Sequence, residues 1–183
     1  MKRIGLMVFC AICVTSGPGV LGQSSPFGQS ASGAVRNDTM HLTVVTSISD
    51  TEVAPGQRVS LAFAVTPKKL MHVYAPGKHD YQVIAVKLDP QSWFRVQPTT
   101  YPPSEMYHFE VLDEKVETYG KPFKLVQDVT ILSTPEAQKL LAASPTVTLS
   151  GRLEYQACDD RVCYAPTRVP VSFTLAVKEP DRK

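Results

Sequence analysis

Two cysteines separated by four residues, Cys158 and Cys163, are the side chains of this 183-residue sequence best placed for covalent chemistry. They lie in the segment Tyr155-Gln156-Ala157-Cys158-Asp159-Asp160-Arg161-Val162-Cys163-Tyr164-Ala165-Pro166. A spacer of that length lets the two α-carbons come within about 6 Å, as a disulfide requires. Such a bridge is either a staple or a redox centre, and loop entropy bears on the choice. So small a ring stabilises a fold by about 2 kcal/mol in the chain-entropy model, roughly half of what a bridge between distant segments gives. The placement is poor for stability and good for a switch. Asp159 and Asp160 disfavour a thiolate beside them, Arg161 offsets them in part, and no helix N-terminus precedes Cys158. The dithiol should therefore be a slow nucleophile in free solution. It suits a carrier that exchanges electrons inside a docked complex, where the partner brings the activated sulfur.

Metal binding is the rival chemistry. Two thiolates with His72, His79 or His108 could hold zinc or copper. The C-x4-C spacing matches none of the common zinc knuckles, however, and no second ligand pair is close in sequence. His41, His72, His79 and His108 read instead as surface or half-buried sheet residues. No cofactor is expected, because the cysteines themselves would carry the electrons.

The elements that position the pair follow from hydrophobic periodicity. From His41 onward, period-two alternation dominates. Leu42, Val44, Thr46 and Ile48 share one face of a first strand, and Ala54-Pro55-Gly56-Gln57 is a turn signal. Val59, Leu61, Phe63 and Val65 then alternate with Ser60, Ala62, Ala64 and Thr66. Further strands are expected over 70–74, 83–88, 93–97, 123–132, 147–156 and 169–177, many separated by proline-bearing turns. Thr134 can cap a short helix, Pro135 suits its first position, Glu136 favours its positive end, and Pro145 stops it. This pattern predicts an all-β chain, an immunoglobulin-like antiparallel β-sandwich with one short helix. The antibody-type disulfide between sheets is excluded, because both cysteines lie at one hairpin. They are expected at its tip or just inside it, open to a partner.

Composition and the chain ends set the class. Hydrophobic residues make up 43% and charged residues 20%, which is globular and not disordered. Lys2 and Arg3, the apolar run 4–14, and Gly17-Pro18-Gly19 form the three-part pattern of a cleaved secretory signal over 1–22. That run covers about half of the roughly 20 residues a bilayer span needs. Without it, 17 basic residues face 17 acidic ones, which leaves no electrostatic footprint for nucleic acid or anionic lipid. Residues 23–38 read as a flexible leader, 39–178 as the domain and 179–183 as a tail. No later stretch is apolar for long enough to cross a membrane. The mature chain keeps two of four cysteines for an exported, disulfide-permissive compartment.

At the cysteine hairpin the sequence resembles the N-terminal periplasmic domain of the thiol:disulfide interchange protein DsbD. The shared features are Tyr155-Gln156-Ala157-Cys158, an acidic turn, Cys163-Tyr164-x-Pro166 and an alternating last strand. Upstream, Glu117-Thr118-Tyr119-Gly120-Lys121 is similar to that family's cap-loop motif, and Tyr74 falls where the family has a tyrosine-bearing strand beside the site. The resemblance covers roughly residues 40–177. It implies an immunoglobulin-like fold and periplasmic electron relay between thioredoxin-fold proteins. Carried over by position, Cys163 would form the mixed disulfide with a partner and Cys158 would resolve it. Tyr119 and Glu117 would belong to a shielding loop, and Tyr74, Tyr155 and Tyr164 to an apolar wall around the sulfurs.

Three departures accompany the resemblance. The cysteine spacer is four residues where the best-known members have five. Thr118 stands in place of an aromatic cap residue. The sequence ends at Lys183 without the family's membrane and C-terminal thioredoxin-like domains, so a separate membrane electron donor is expected. The expected function is an exported thiol-disulfide exchange module, a protein-disulfide reductase-type carrier. Its alternative is a non-enzymatic binding or assembly module whose disulfide only pins a hairpin, with a metal chaperone third.

Overall fold

The structure, a computed structural model, describes residues 34–110 and 113–178. The expected signal peptide and C-terminal tail lie outside the described residues, as does most of the leader. Along the chain run β1 (Val35–Asp38), β2 (Leu42–Ile48), β3 (Glu52–Val53), β4 (Arg58–Pro67), β5 (His72–Tyr74), β6 (Ala85–Leu88) and β7 (Phe94–Thr100). They are followed by β8 (Glu105–Phe109), β9 (Glu114–Tyr119), β10 (Phe123–Ile131), α1 (Pro135–Ala142), β11 (Thr146–Tyr155), β12 (Ala157–Cys158) and β13 (Thr167–Val177).

Two sheets face each other across one apolar core. The first has the order β1-β2-β4-β10-β7 and the second β3-β13-β11-β6. Alternation dictates their inner faces: Val59, Leu61, Phe63 and Val65 of β4 are buried, as are Val169, Val171, Phe173 and Leu175 of β13. Phe63 and Phe173 meet edge to face across the interlayer, ring centres 6.0 Å apart. All pairings are antiparallel except β3 with β13, which is parallel. A third, smaller sheet, β12-β5-β9-β8, carries the cysteines. The chain has the all-β immunoglobulin-like fold that its periodicity predicts. Helix α1 is capped as expected, with Thr134 Oγ1 accepting the Ala137 N–H and proline at its start.

Three boundaries differ from the sequence reading. The expected leader ran through Asp38, yet its last four residues form β1, paired with β2 from Val35↔Thr46 to Asp38↔Thr43. The strand expected from residue 70 begins at His72, because Lys68–Met71 form a turn with Leu70 in the left-handed region at φ 67°. Residues 105–109 and 114–119, the latter expected in part as a cap loop, pair as strands β8 and β9 of an antiparallel hairpin. Its outer face is solvated, so its apolar signal is thin.

Gly151, in β11, lies between Val171 of β13 and Leu88 of β6. A Cβ there would collide with backbone atoms of Lys87 and Leu88. Gly151→Ala should therefore push β6 off the sheet and destabilise the fold by about 1–3 kcal/mol. Urea unfolding would show this as a lower midpoint at unchanged slope; an unshifted midpoint would refute the close-approach argument.

Candidate functional site

The site is built where the chain leaves the second sheet. β11 ends at Tyr155, and the two-residue strand β12 then pairs with β5, Ala157 opposite Val73 and Cys158 opposite His72. That crossing carries Cys158 to Tyr74. Cys158 and Cys163 form a disulfide with α-carbons 4.1 Å apart. The turn between them is held independently of the sulfurs. The Asp159 N–H donates to the Val162 carbonyl at 3.0 Å, and the Tyr164 N–H to the Ala157 carbonyl at 2.9 Å. The Asp159 carboxylate accepts from the N–H groups of Arg161 and Val162, both at 2.8 Å, and from the Tyr164 hydroxyl at 3.0 Å. These bonds, the two backbone donors foremost, hold the Asp159 carboxyl below the usual carboxylate range.

Beneath the turn is an apolar pocket separate from the main core. Cys158 is fully buried there with Tyr74 and Val116, while Cys163 and Tyr81 are partly exposed and pack against them. The Tyr74 hydroxyl lies 2.8 Å from Cys158 Sγ and 3.2 Å from Cys163 Sγ. The Tyr74 ring stacks on Tyr81, centres 4.2 Å apart and planes 4° from parallel. Tyr81 in turn donates its hydroxyl to the Glu114 carboxylate at 2.7 Å. Burial pushes the Tyr74 phenol well above its ordinary range, and Tyr81 and Glu114 add to the effect. The bond to Glu114 is the main cause of an upward shift at Tyr81. His79 closes the far side, its ring centre 5.3 Å from that of Tyr74, with Nε2 donating to the Ala75 carbonyl at 2.8 Å.

The β8–β9 hairpin flanks the turn. Tyr107 of β8 donates to the Asp160 carboxylate at 2.6 Å, which pushes its phenol up to about 12. Its ring covers His72 at 4.2 Å. Burial holds His72 below its ordinary value against the opposing pull of Asp160 and Asp159. A pocket of about 240 Å³ opens here, bounded by Met71, His72, Met106, Tyr107, Thr118 and Asp160. Leu70, Met106 and Val162 stand exposed around it and along the turn.

The residues singled out from the sequence do not all converge. Tyr74 joins the sulfurs, and Tyr164 sits at the base of the turn on Asp159, its ring 4.6 Å from that of His41. Tyr155 instead lies in the main core, its hydroxyl 2.8 Å from that of Thr39 and 3.3 Å from His41 Nδ1. Tyr119 also turns to the main core, stacked on Phe123 with its hydroxyl on the Pro102 carbonyl at 2.8 Å. Glu117 lies on β9 with its side chain against Gly77, and its carbonyl accepts from Ala75. Glu117, Thr118 and Tyr119 of the motif expected as a cap loop thus lie in strand β9, with Thr118 buried, and Gly120 and Lys121 follow the strand. His41 and His72, expected at the surface or half-buried, are only 5% exposed each. Tyr81, Glu114 and Val116 complete the site although the sequence did not point to them. Tyr81 follows a stretch of proline, glycine and charged residues without period, so nothing local foretold its return onto Tyr74.

A sequence model of the family described as thiol:disulfide interchange protein DsbD, N-terminal, matches residues 40–174. No curated protein matches the chain. Among solved structures it is similar to the N-terminal periplasmic domain of ScsB from Proteus mirabilis, at 14% identity and a TM-score of 0.50. That likeness covers 75% of this chain and 47% of the other, so the chain spans about half the length of that relative. At such identity it bears on the fold alone.

The Asp159 bonds make the turn sensitive to acid. A carboxyl whose folded value is depressed stabilises the native state above its unfolded value, near pH 3.9, and loses that contribution as pH falls through the folded value. The melting temperature of the oxidised protein should exceed that of Asp159→Asn near neutral pH, and the gap should close as pH falls below about 4. Thermal melts across that range test it; a gap independent of pH would refute the charge argument.

Proposed function

The chain belongs to the family of the DsbD N-terminal domain, and on that premise we propose that it is an exported, periplasmic electron carrier working through Cys158–Cys163. Its family and its disulfide make it a thiol-disulfide exchange module. Thioredoxin-fold redox proteins are its exchange partners, and a separate membrane electron donor supplies the circuit. The observation that carries the reading is the asymmetry of the pair. Cys158 is fully buried, whereas Cys163 is partly exposed beside Val162, itself half exposed at the surface of the turn.

That asymmetry supports a division of roles. A partner thiolate reaches Cys163 Sγ, a new intermolecular S–S bond forms, and the bond to Cys158 breaks with its electron pair going to Cys158 Sγ. In the opposite direction Cys158 attacks Cys163 Sγ and expels the partner thiolate. Cys163 is the exchanging cysteine and Cys158 the resolving one. The pocket of Tyr74, Tyr81 and Val116 keeps water from the buried sulfur and takes the shielding role expected of a cap loop. Around the turn, exposed Val162, Met106 and Leu70 offer apolar contact to a docking partner.

Complete burial of Cys158 also suits a bridge that only pins the hairpin, and the reduction potential separates the two readings. Equilibration of the folded protein with dithiol buffers, read by alkylation and mass, should give a value between about −270 and about −180 mV. A value well below about −300 mV would mark a structural bridge. With a thioredoxin-fold bait, Cys158→Ser should accumulate the mixed disulfide and Cys163→Ser should form none. The reverse outcome would exchange the two assignments.

A further inference from the structure

We propose that the pocket beside the cysteine turn is a docking subsite for an arginine side chain of the exchange partner, its guanidinium held between the carboxylates of Asp160 and Glu105 over a floor of His72 and Thr118. The inference rests on the exchange function above and deepens it, by naming one chemical feature that a partner must carry. The residues involved hold the partner in place and take no part in the sulfur chemistry.

The strand register builds the pocket. Cys158 lies opposite His72, Tyr74 opposite Thr118, Thr118 opposite Glu105, and Val116 opposite Tyr107. Side chains directly opposite each other, or two apart on one strand, share a face of a sheet. His72, Thr118, Glu105 and Tyr107 therefore project from the same face as Tyr74 and Cys158. The cysteine turn folds over that face and fixes its Asp160 to the Tyr107 hydroxyl at 2.6 Å. Between turn and sheet lies the volume of about 240 Å³, room for a side chain and not merely for one water.

Its lining asks for a hydrogen-bond donor. His72 is 5% exposed and Thr118 2%, yet neither the imidazole nor the hydroxyl has a hydrogen-bond partner among the described residues. Buried polar groups in that state are costly, and a ligand that bonds to them removes the penalty. The side-chain atoms that are both sealed and unpartnered among the described residues are His41 Nε2 and His79 Nδ1. His72 and Thr118 thus keep an opening, and the pocket they line is that opening. Asp160 uses Oδ1 for Tyr107 and Glu105 uses Oε1 for Lys121, which leaves one oxygen of each carboxylate open. No lysine or arginine is among the described residues that line the pocket.

That inventory selects the occupant. An anion is opposed by both carboxylates. An apolar side chain would pack on Met71 and Met106 but leave the acceptors unmet. A guanidinium offers five N–H donors in one plane and no acceptor, sheds water more readily than an ammonium, and lies flat on aromatic rings such as that of Tyr107. Its methylene stem suits the two methionines. Burial keeps His72 neutral near pH 7, so its ring presents a lone pair and no opposing charge. The pocket also stands in the right place. Asp160 lies three residues before Cys163, at most about 11 Å of extended chain. A partner segment laid along the turn therefore brings a residue two or three positions from its own reacting cysteine over the pocket.

The test separates binding from exchange. Titration of the oxidised, isotope-labelled protein with Nα-acetylarginine amide, followed by NMR, should shift the backbone amides of His72, Thr118, Gly120 and Asp160 in a saturable manner. The citrulline, lysine and norleucine amides should bind about tenfold more weakly. Glu105→Gln and Thr118→Val should each weaken arginine about fivefold. Glu105 is exposed, so a folding defect in Thr118→Val would leave the question answerable; circular dichroism checks both. Equal binding of citrulline or norleucine would overturn the cationic occupant, and equal binding of lysine would overturn the guanidinium. Shifts at Glu110 and Asp113 in place of the pocket would overturn the site. In exchange, a short peptide with arginine two or three residues from its cysteine should form the mixed disulfide about fivefold faster than its citrulline counterpart, and Glu105→Gln should abolish the difference. Arginine binding without that advantage would overturn the docking role. A disulfide inert to both peptides would overturn the exchange function itself, while the amide shifts would still report on the pocket.

Discussion

Two residues of backbone pairing, Ala157 and Cys158 against Val73 and His72, hold the site together. Without that short ladder the segment after β11 would remain a surface loop of the second sheet, and Cys158 would be wet. With it, the chain steps onto a third sheet whose other members are the hairpin β8–β9 and strand β5. Each of those strands contributes one part of the surroundings. β5 brings Tyr74 to the sulfurs, β9 brings Val116 and Glu114, and β8 brings Tyr107 to the turn. The chemistry thus hangs from the smallest sheet, which is braced by the largest core.

The separation between that core and the redox pocket has a physical rationale. The two main sheets bury long aliphatic and aromatic rows, and neither cysteine belongs to that core. The pocket at Cys158 is built differently, from phenols, one valine and sulfur, with polar atoms admitted only where they meet each other or the cysteines. Stability and reactivity are assigned to different clusters, so the bond at the site can be opened without unpacking the sandwich.

How much of this was legible in the sequence depended on how local the cause was. Val59, Leu61, Phe63 and Val65 announce β4 because a strand's period is written in adjacent residues, and Thr134-Pro135 announces α1 for the same reason. The cysteine spacing and the residues around it pointed to the pair that forms the disulfide and, by resemblance, to the family. Strand β1 was missed because Val35-Arg36-Asn37-Asp38 carries a single apolar side chain, itself exposed. Tyr81 and Glu114 lie 33 residues apart, and Glu114 acquires meaning only when the β8–β9 hairpin folds beside the stack. Tyr119 and Tyr155 carried the right motif but were claimed by the main core, where a large ring finds more to bury.

The turn at Asp159–Val162 is tied by backbone and carboxylate hydrogen bonds that do not involve sulfur. Reduction removes one covalent bond and none of these hydrogen bonds directly. The two thiols therefore remain neighbours, and each sees the other at an effective concentration far above that of any protein in the surrounding compartment. For a carrier this sets a short dwell time. In the proposed exchange, a mixed disulfide on Cys163 stays within reach of Cys158, so the complex would be released by an internal competitor and would not wait for a second molecule to arrive.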